Sequence, residues 1–409
     1  ISTRSPTSGL LRCTGILGRP KISRNSSTSS SVPSESKKQS ETDAPFMRAA
    51  LALARRGLGT TWPNPTVGCV LVADGHVVGR GWTQPGGVPH AETIALERAG
   101  GRARGATAYV SLEPCSHYGK TAPCADALVA AGIARAVVAM RDPNPDINGR
   151  GINKLKDAGV EVALGLMETE ARKMNAGFDL RVQKGRPLVT LKTATTLDGR
   201  IAVASGASQW ITGAAARRRA HLLRSQHDAV MVGVGTAVAD NPQLTCRLPG
   251  LARRSPVRIV LDSSLRLPLT HHLVAGAGER VTWLITSAYS ERARKRALRE
   301  IGVEVIEIGT DEFGYPDLLE AVDLVAQRGI TRLLVEGGSR LAAALLRARL
   351  VDRLAWFRVA TLIGGDGYPV TQPFGIEQLE DMPVFRRDGT LPLGHDVLET
   401  YTIATKEDV

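Results

Sequence analysis

Apolar residues recur along this chain in two rhythms: short, nearly continuous runs, and longer stretches with helical spacing. Residues 67–73 and 77–82 are apolar runs separated by the turn signal Asp74-Gly75-His76, and they read as two strands of a hairpin. Helical spacing marks 46–56 ahead of them, and 90–99 and 123–131 after them. Further strands are predicted at 106–111 and 134–140; 159–164 closes the region, and 168–184 reads as a connecting helix. Gly185-Arg186-Pro187 breaks the pattern, and a second alternation follows, with strands at 188–194, 230–234, 257–261, 281–285, 303–306 and 333–335. Strands alternating with helices predict an α/β layered fold in both parts. The pattern divides the chain into a tail at 1–43, a first unit at 44–185 and a second at 186–409.

Composition sharpens this picture. With 409 residues and 43% hydrophobic content the chain can bury two or three cores. Only 4% of residues are aromatic, so Val, Leu, Ile and Ala must fill those cores. The tail is different material: it holds Ser26-Ser27-Thr28-Ser29-Ser30-Ser31, and Arg4, Arg12, Arg19, Lys21 and Arg24 all precede the first acid, Glu35. Such a segment buries too little apolar surface to order itself. It reads either as an organelle transit peptide or as a plain disordered extension. The compartment is then the cytoplasm for a bacterial chain, or a plastid if the tail is a targeting segment. A net charge of +12 suits anionic small molecules. Basic and aromatic positions do not interleave, so no nucleic-acid partner is expected. No apolar run approaches a membrane span, so no membrane partner is expected either. Five cysteines, Cys13, Cys69, Cys115, Cys124 and Cys246, form no disulfide framework and point to a reducing compartment.

Three of the chemistry-bearing residues have metal-ligand character. His90, Cys115 and Cys124 can give zinc three ligands and leave a fourth position for water. Glu92, two residues after the histidine, is placed to carry protons between that water and a substrate. His-x-Glu with Pro-Cys and a later Cys is the pattern of zinc deaminases. Taken singly, each residue reads as ordinary core; the four together, with Pro114, read as a catalytic centre. Cys69 and Cys246 read as structural. His117 is a competing ligand or a substrate contact.

The second unit carries weaker signals. Glycines stand between strand and helix at Gly233-Val234-Gly235-Thr236 and at Glu336-Gly337-Gly338-Ser339. They either let backbone amides approach a phosphate or serve tight turns only. Gly233-x-Gly235 lacks the third glycine of a dinucleotide fingerprint. Thr212 is the expected N-cap of the helix that follows it.

Residues 62–70, 89–92 and 114–124 together resemble the deaminase half of the bifunctional riboflavin-biosynthesis deaminase/reductase family. Residues 192–200, 208–212, 232–247 and 335–338 resemble its reductase half, and the likeness runs from Ala44 to about Thr402. The resemblance implies a cytidine-deaminase-like three-layer N-terminal domain and a dihydrofolate-reductase-like C-terminal domain, with Zn2+ and NADPH as cofactors. It implies deamination of 2,5-diamino-6-ribosylamino-4(3H)-pyrimidinone 5′-phosphate, followed by reduction of the ribosyl to the ribityl chain, in a homo-oligomer. By the same resemblance Asn64 meets the pyrimidine, and Lys120, with His117 nearby, meets the polar or phosphate end. Ala194, Trp210, Thr236, Asp240, Ser263 and Gly338 would line the NADPH site; Ser208, Arg224, Arg247 and Glu336 would hold the substrate. Arg224 and Arg247 suit a phosphate, and Lys192 could assist the reduced carbon. Simpler readings stand beside these, with Asp240 as a turn cap and Arg224 as an exposed helix residue. Two stretches depart from the family: Thr195-Thr196 before Leu-Asp-Gly, and residues 356–361 before Gly364-Gly365. The alternatives are a deaminase whose second half is only a scaffold, and a nucleotide- or tRNA-editing deaminase.

Overall fold

The computed structural model describes residues 35–118, 122–145, 147–208 and 211–404. The first half runs α1 (Glu35–Ala54), β1 (Gly68–Ala73), β2 (His76–Trp82), α2 (Ala91–Ala99), β3 (Thr107–Val110), α3 (Cys124–Ala130), β4 (Arg135–Val138), α4 (Arg150–Asp157), β5 (Glu161–Leu164) and α5 (Glu168–Lys184). Its sheet has the order β2-β1-β3-β4-β5. β1 is antiparallel to both neighbours, and β3, β4 and β5 are parallel.

Three layers follow from two close approaches. A Cβ on Gly68 would fall 1.9 Å from the Ala50 carbonyl of α1, and one on Gly81 would fall 2.2 Å from the Ala91 carbonyl of α2. Gly81 pairs with Cys69, the neighbour of Gly68, so the two glycines point to opposite faces of the sheet. α1 and α2 therefore cover opposite faces. Met47, Leu71, Leu128 and Met140 are among the fully buried residues of this core.

The expectation that ordered structure starts at residue 44 is corrected here, because α1 already runs from Glu35. Asp43 is the reason it is held: Arg135 grips its carboxylate at 3.0 and 2.8 Å, and the Tyr109 hydroxyl donates to it at 2.7 Å. Residues 1–34 of the tail lie outside the described residues.

The second half runs β6 (Leu188–Thr195), β7 (Arg200–Ala202), α6 (Ala214–Ser225), β8 (Ala229–Gly233), α7 (Val234–Asp240), β9 (Val257–Leu261), α8 (His272–Ala275), β10 (Thr282–Ser287), α9 (Arg292–Glu300), β11 (Glu304–Ile308), α10 (Leu318–Gln327), β12 (Arg332–Val335), α11 (Ser339–Arg347), β13 (Arg353–Arg358), β14 (Tyr368–Pro369), β15 (Phe385–Leu393) and β16 (Asp396–Ile403). Among the described residues these strands build a sheet of order β11-β10-β9-β8-β12-β6-β13-β16-β15, with β7 and β14 as a separate pair. Seven neighbouring strands, β11 to β13, run parallel, and the β16–β15 hairpin closes one side antiparallel. β8 shows why its sequence is apolar throughout: Ala229 and Met231 enter one core, Val230 and Val232 the other.

Sequence periodicity did not mark β15. As an edge strand it buries none of residues 386–392, so no apolar run announces it. Thr212 is not the cap of α6. Gly213 holds that place, and its N–H donates to Asp396 Oδ2 at 2.7 Å.

α5 ties the halves together. Buried Asn175 accepts from the Thr66 N–H at 2.9 Å and donates to the Thr66 carbonyl at 3.1 Å. On the other side Arg181 donates to the Ala326 carbonyl at 2.8 Å, and Arg353 donates to the Lys173 carbonyl at 3.1 Å. Trp62, from the loop before β1, packs against the second half's core.

Candidate active sites

The first site stands where α2 and α3 begin. His90 is the extended residue capping α2, Glu92 lies in its first turn, and Cys124 opens α3. Cys115 reaches the same point from the loop after β3. His90 Nδ1 is 3.3 Å from Cys124 Sγ and 3.5 Å from Cys115 Sγ, and the three atoms all lie within 4.8 Å of one another. Zinc bonds of about 2.0 Å to nitrogen and about 2.3 Å to sulfur give tetrahedral N···S edges of about 3.5 Å. The donor set and its spacing therefore fit zinc, with His90 bound through Nδ1.

The electrostatics agree. Cys115 is brought to about 4, first by the hydrogen bond from Cys124 and then, against burial, by His90. Cys124 is pushed up by that bond and by burial. A bound dication would favour the thiolate form of both cysteines. Burial, and next the Cys115 charge, push Glu92 up to about 7. A carboxyl in that range can both take and give a proton.

Glu113, which precedes Pro114 and Cys115, has no role assigned from the sequence. Its buried carboxylate accepts four backbone N–H groups, from Asp142, Gly149, Gly151 and Ile152, at 2.9 to 3.2 Å. It fastens the start of α4 behind Pro114 and Cys115. An acid directly before Pro-Cys was the available signal. Asn64 packs against Gly87, three residues before His90, so the loop before β1 reaches this site. His117 is exposed and outside the ligand cluster, which removes it as a competing ligand. Lys120 lies outside the described residues.

The second site is a cavity of about 1240 Å³ at the carboxyl ends of the parallel strands. Open α/β sheets bind ligands at that edge. Lys192 and Ala194 from β6, Thr236 after β8, Ser263 after β9, and Glu336 and Gly338 after β12 all line it. Ser208, Asp240, Arg224 and Arg247 also line it. The structure thus gathers every described reductase residue named from sequence around one space. Trp210 lies outside the described residues.

Glu336 is the centre of this cavity's charge network. Arg224 donates to its two oxygens at 2.6 and 3.0 Å, and Lys192 Nζ stands 3.7 Å away. Burial opposes its charge, but Arg224 and Lys192 outweigh burial and hold Glu336 at about 2. This corrects the expected bidentate grip of Arg224 on a phosphate: its fork faces Glu336, and Nη1 donates to the Thr245 carbonyl at 3.1 Å. Nor is Arg224 an exposed helix residue. Asp240 ends α7 and receives the Ser208 hydroxyl at 3.4 Å. Burial pushes Asp240 up, with Ser208 and Lys192 opposing. Thr236 and Gly338 abut, the Thr236 hydroxyl lying 3.2 Å from where a Gly338 Cβ would be.

The two departures answer each other. The Trp356 indole N–H donates to the Thr195 hydroxyl at 2.9 Å across adjacent strands β13 and β6. Thr196 donates to Asp198 at 2.6 Å, and Asp198 in turn accepts from the Gly364 N–H at 2.7 Å. The altered residues rebuild the turn beside the cavity.

Comparison with known proteins places both halves. Residues 187–398 match the RibD C-terminal domain, and residues 40–140 match the cytidine and deoxycytidylate deaminase zinc-binding region. The chain is 43% identical over 366 residues to riboflavin biosynthesis protein RibD of Escherichia coli strain K12, covering 87% of this chain and 98% of that one. It is 42% identical over 358 residues to the RibD protein of Aquifex aeolicus, covering 88% and 98%. Among solved structures, Acinetobacter baumannii RibD superposes with a TM-score of 0.81 at 37% identity over 90% of this chain and all of that one. The Thermotoga maritima diaminohydroxyphosphoribosylaminopyrimidine deaminase/5-amino-6-(5-phosphoribosylamino)uracil reductase superposes at 0.78 and 34% identity, with 90% of this chain and all of that one covered.

Proposed function

The chain belongs to the bifunctional riboflavin-biosynthesis deaminase/reductase family, and on that premise we propose that its two sites act in sequence on one pyrimidine ribosyl phosphate. The observation that carries this is the convergence of His90 Nδ1 and the two cysteine sulfurs beside a buried Glu92.

At the first site water replaces the ring 2-amino group, breaking a C–N bond, forming a C–O bond and releasing ammonia. His90, Cys115 and Cys124 would hold a zinc ion, which when bound would lower the pKa of a water toward neutral. Glu92, buried and raised to about 7, is placed to take a proton from the attacking water and pass it to the departing amine. Asn64 orients the pyrimidine, and Lys120 meets the polar end of the substrate.

At the second site the ribosyl chain becomes a ribityl chain. NADPH supplies the hydride that the sugar C1′ accepts. Ala194, Trp210, Thr236, Asp240, Ser263 and Gly338 hold the cofactor. Ser208, Arg247 and Glu336 hold the sugar phosphate. Arg224 fixes the Glu336 carboxylate so that it receives sugar hydroxyls. Lys192, poised 3.7 Å from Glu336, delivers the proton as the sugar ring opens. The intact ion-pair network favours a working reductase over a scaffold.

Self-association belongs to the same reading, with β15 at the edge of the sheet among the described residues. Among the described residues no helix is long and apolar enough to cross a membrane. The described cysteines are all free, which suits a reducing compartment. That compartment is the bacterial cytoplasm, or a plastid if the first 43 residues direct the chain there.

Mass spectrometry of the products from zinc-loaded protein, with and without NADPH, tests the proposal. Deaminated product without NADPH, and deaminated, reduced product with it, is the expected result. Deamination alone under both conditions would reduce the second half to a scaffold.

A further inference from the structure

We propose that Trp62 is a positioning residue for deamination: seated in the second half of the chain, it holds the turn that presents Asn64 to the pyrimidine, so the second half completes the first half's site. The inference rests on the reading above, that Asn64 orients the pyrimidine.

The Asn64 side chain does not fix its own direction, because its amide makes no hydrogen bond among the described residues. Its backbone does. The Asn64 N–H donates to the Thr61 carbonyl at 3.0 Å, and its carbonyl accepts from the Thr61 hydroxyl at 3.2 Å. Thr61-Trp62-Pro63-Asn64 is therefore one closed turn that moves as a unit. On one side it leans on the segment before His90. The Gly86 N–H donates to the Thr60 carbonyl at 2.8 Å, and a Cβ on Gly87 would fall 1.7 Å from the Asn64 amide nitrogen.

The other side of the turn meets the second half. Trp62, its one large apolar side chain, packs against the core there. A Cβ on Gly329 would fall 3.4 Å from the Trp62 ring and 3.2 Å from Pro63 Cβ. Just upstream, a Cβ on Gly59 would fall 2.6 Å from the Ser225 carbonyl oxygen and 3.0 Å from the His227 nitrogen. The two receiving turns, 225–228 and 329–331, precede the parallel neighbours β8 and β12. Buried Asp228 staples them together. Its Oδ2 accepts from the Thr331 N–H at 2.8 Å, the Thr331 hydroxyl at 2.7 Å and the Arg332 N–H at 2.9 Å. The socket is rigid, and the side chain seated in it gives the turn a fixed origin.

This socket lies at the amino ends of the parallel strands, whereas the cavity lies at their carboxyl ends. The four residues of β12 separate the two by about 13 Å. Trp62 thus touches only the second half, yet its loss should be felt in the chemistry of the first.

The test is initial-rate kinetics of the full, zinc-loaded chain, with the diamino substrate for the first site and its deaminated product plus NADPH for the second. Trp62→Ala is expected to raise KM for deamination about tenfold, the effect of one misplaced hydrogen bond. Its zinc content, its kcat for deamination and both reductase constants should hold. Trp62→Leu keeps an apolar side chain in the socket; it should show a smaller rise of the same kind, and it serves if the alanine variant does not fold. Ile259→Ala opens space in the same core away from the socket, and should lower the melting temperature without moving the deaminase KM. In an Asn64→Ala background Trp62→Ala should add nothing further, because it acts through Asn64. An unchanged deaminase KM in the Trp62 variants would overturn the proposal. So would an equal rise in Ile259→Ala or a parallel fall in reduction, either of which marks a general loss of packing, and so would a further rise of the same size on top of Asn64→Ala. A wild-type KM in Asn64→Ala would overturn the reading of Asn64 itself, and this proposal with it.

Discussion

Cys115 and Glu92 sit in the same site but should fail in different ways. Cys115→Ala removes a zinc ligand, so metal analysis should find substoichiometric zinc and deamination should be lost. Glu92→Gln keeps all three ligands, so zinc should stay while deamination falls by roughly a hundred- to ten-thousandfold. Full activity in Glu92→Gln would remove it from proton transfer. Glu336 carries a prediction in acid. Its ordinary value of 4.5 falls to about 2 on folding, so its ion pair contributes fully above 4.5 and is lost as pH falls through about 2. Thermal melts from neutral pH to pH about 2 should show wild type losing stability in that window more steeply than Glu336→Gln. Parallel curves would mean the pairing seen here does not persist in solution. At this scale the sequence was readable where chemistry needs a residue type at a spacing, as with His90, Glu92, Cys115 and Cys124. It was silent where a role depends on a distant partner. Glu113 acts on N–H groups up to 39 residues away, and Arg224 meets Glu336 across 112.

Among the elements, α5 bears the most consequence. Asn175 satisfies both backbone groups of Thr66, just before β1 begins. Asn175→Ala leaves those buried groups unpaired and should cost about 2–4 kcal/mol in chemical denaturation. A loss below about 0.5 kcal/mol would show that water replaces the amide there. Gly177 on the same helix faces the second half, and a Cβ there would come within 2.4 Å of the Thr331 carbonyl. Gly177→Val should therefore lower the melting temperature, and an unchanged melt would mean the helix shifts freely. Period and apolar runs revealed six of the seven parallel strands of the larger sheet, whose faces are largely buried, but not β13. They also missed β16, β15, whose residues face water, and the start of α1 at Glu35.

For the molecule as a whole, the metal centre was legible from motif spacing and the reductase half only from the family resemblance, and the fold gathers the described residues of each around one point or one cavity. The departures at Thr195 and Trp356 stand 161 residues apart in sequence. In three dimensions they are a hydrogen-bonded pair on neighbouring strands, a fact that depends on register and not on local pattern. The central claim is that two independent sites on one chain perform successive reactions. The most direct measurement is product mass spectrometry on Glu92→Gln and Glu336→Gln, each given NADPH and either the diamino substrate or its deaminated product. Glu92→Gln should leave the diamino substrate untouched yet reduce the deaminated compound. Glu336→Gln should deaminate and stop there. Loss of both reactions in either folded, zinc-loaded variant, or reduction that survives in Glu336→Gln, would contradict the account.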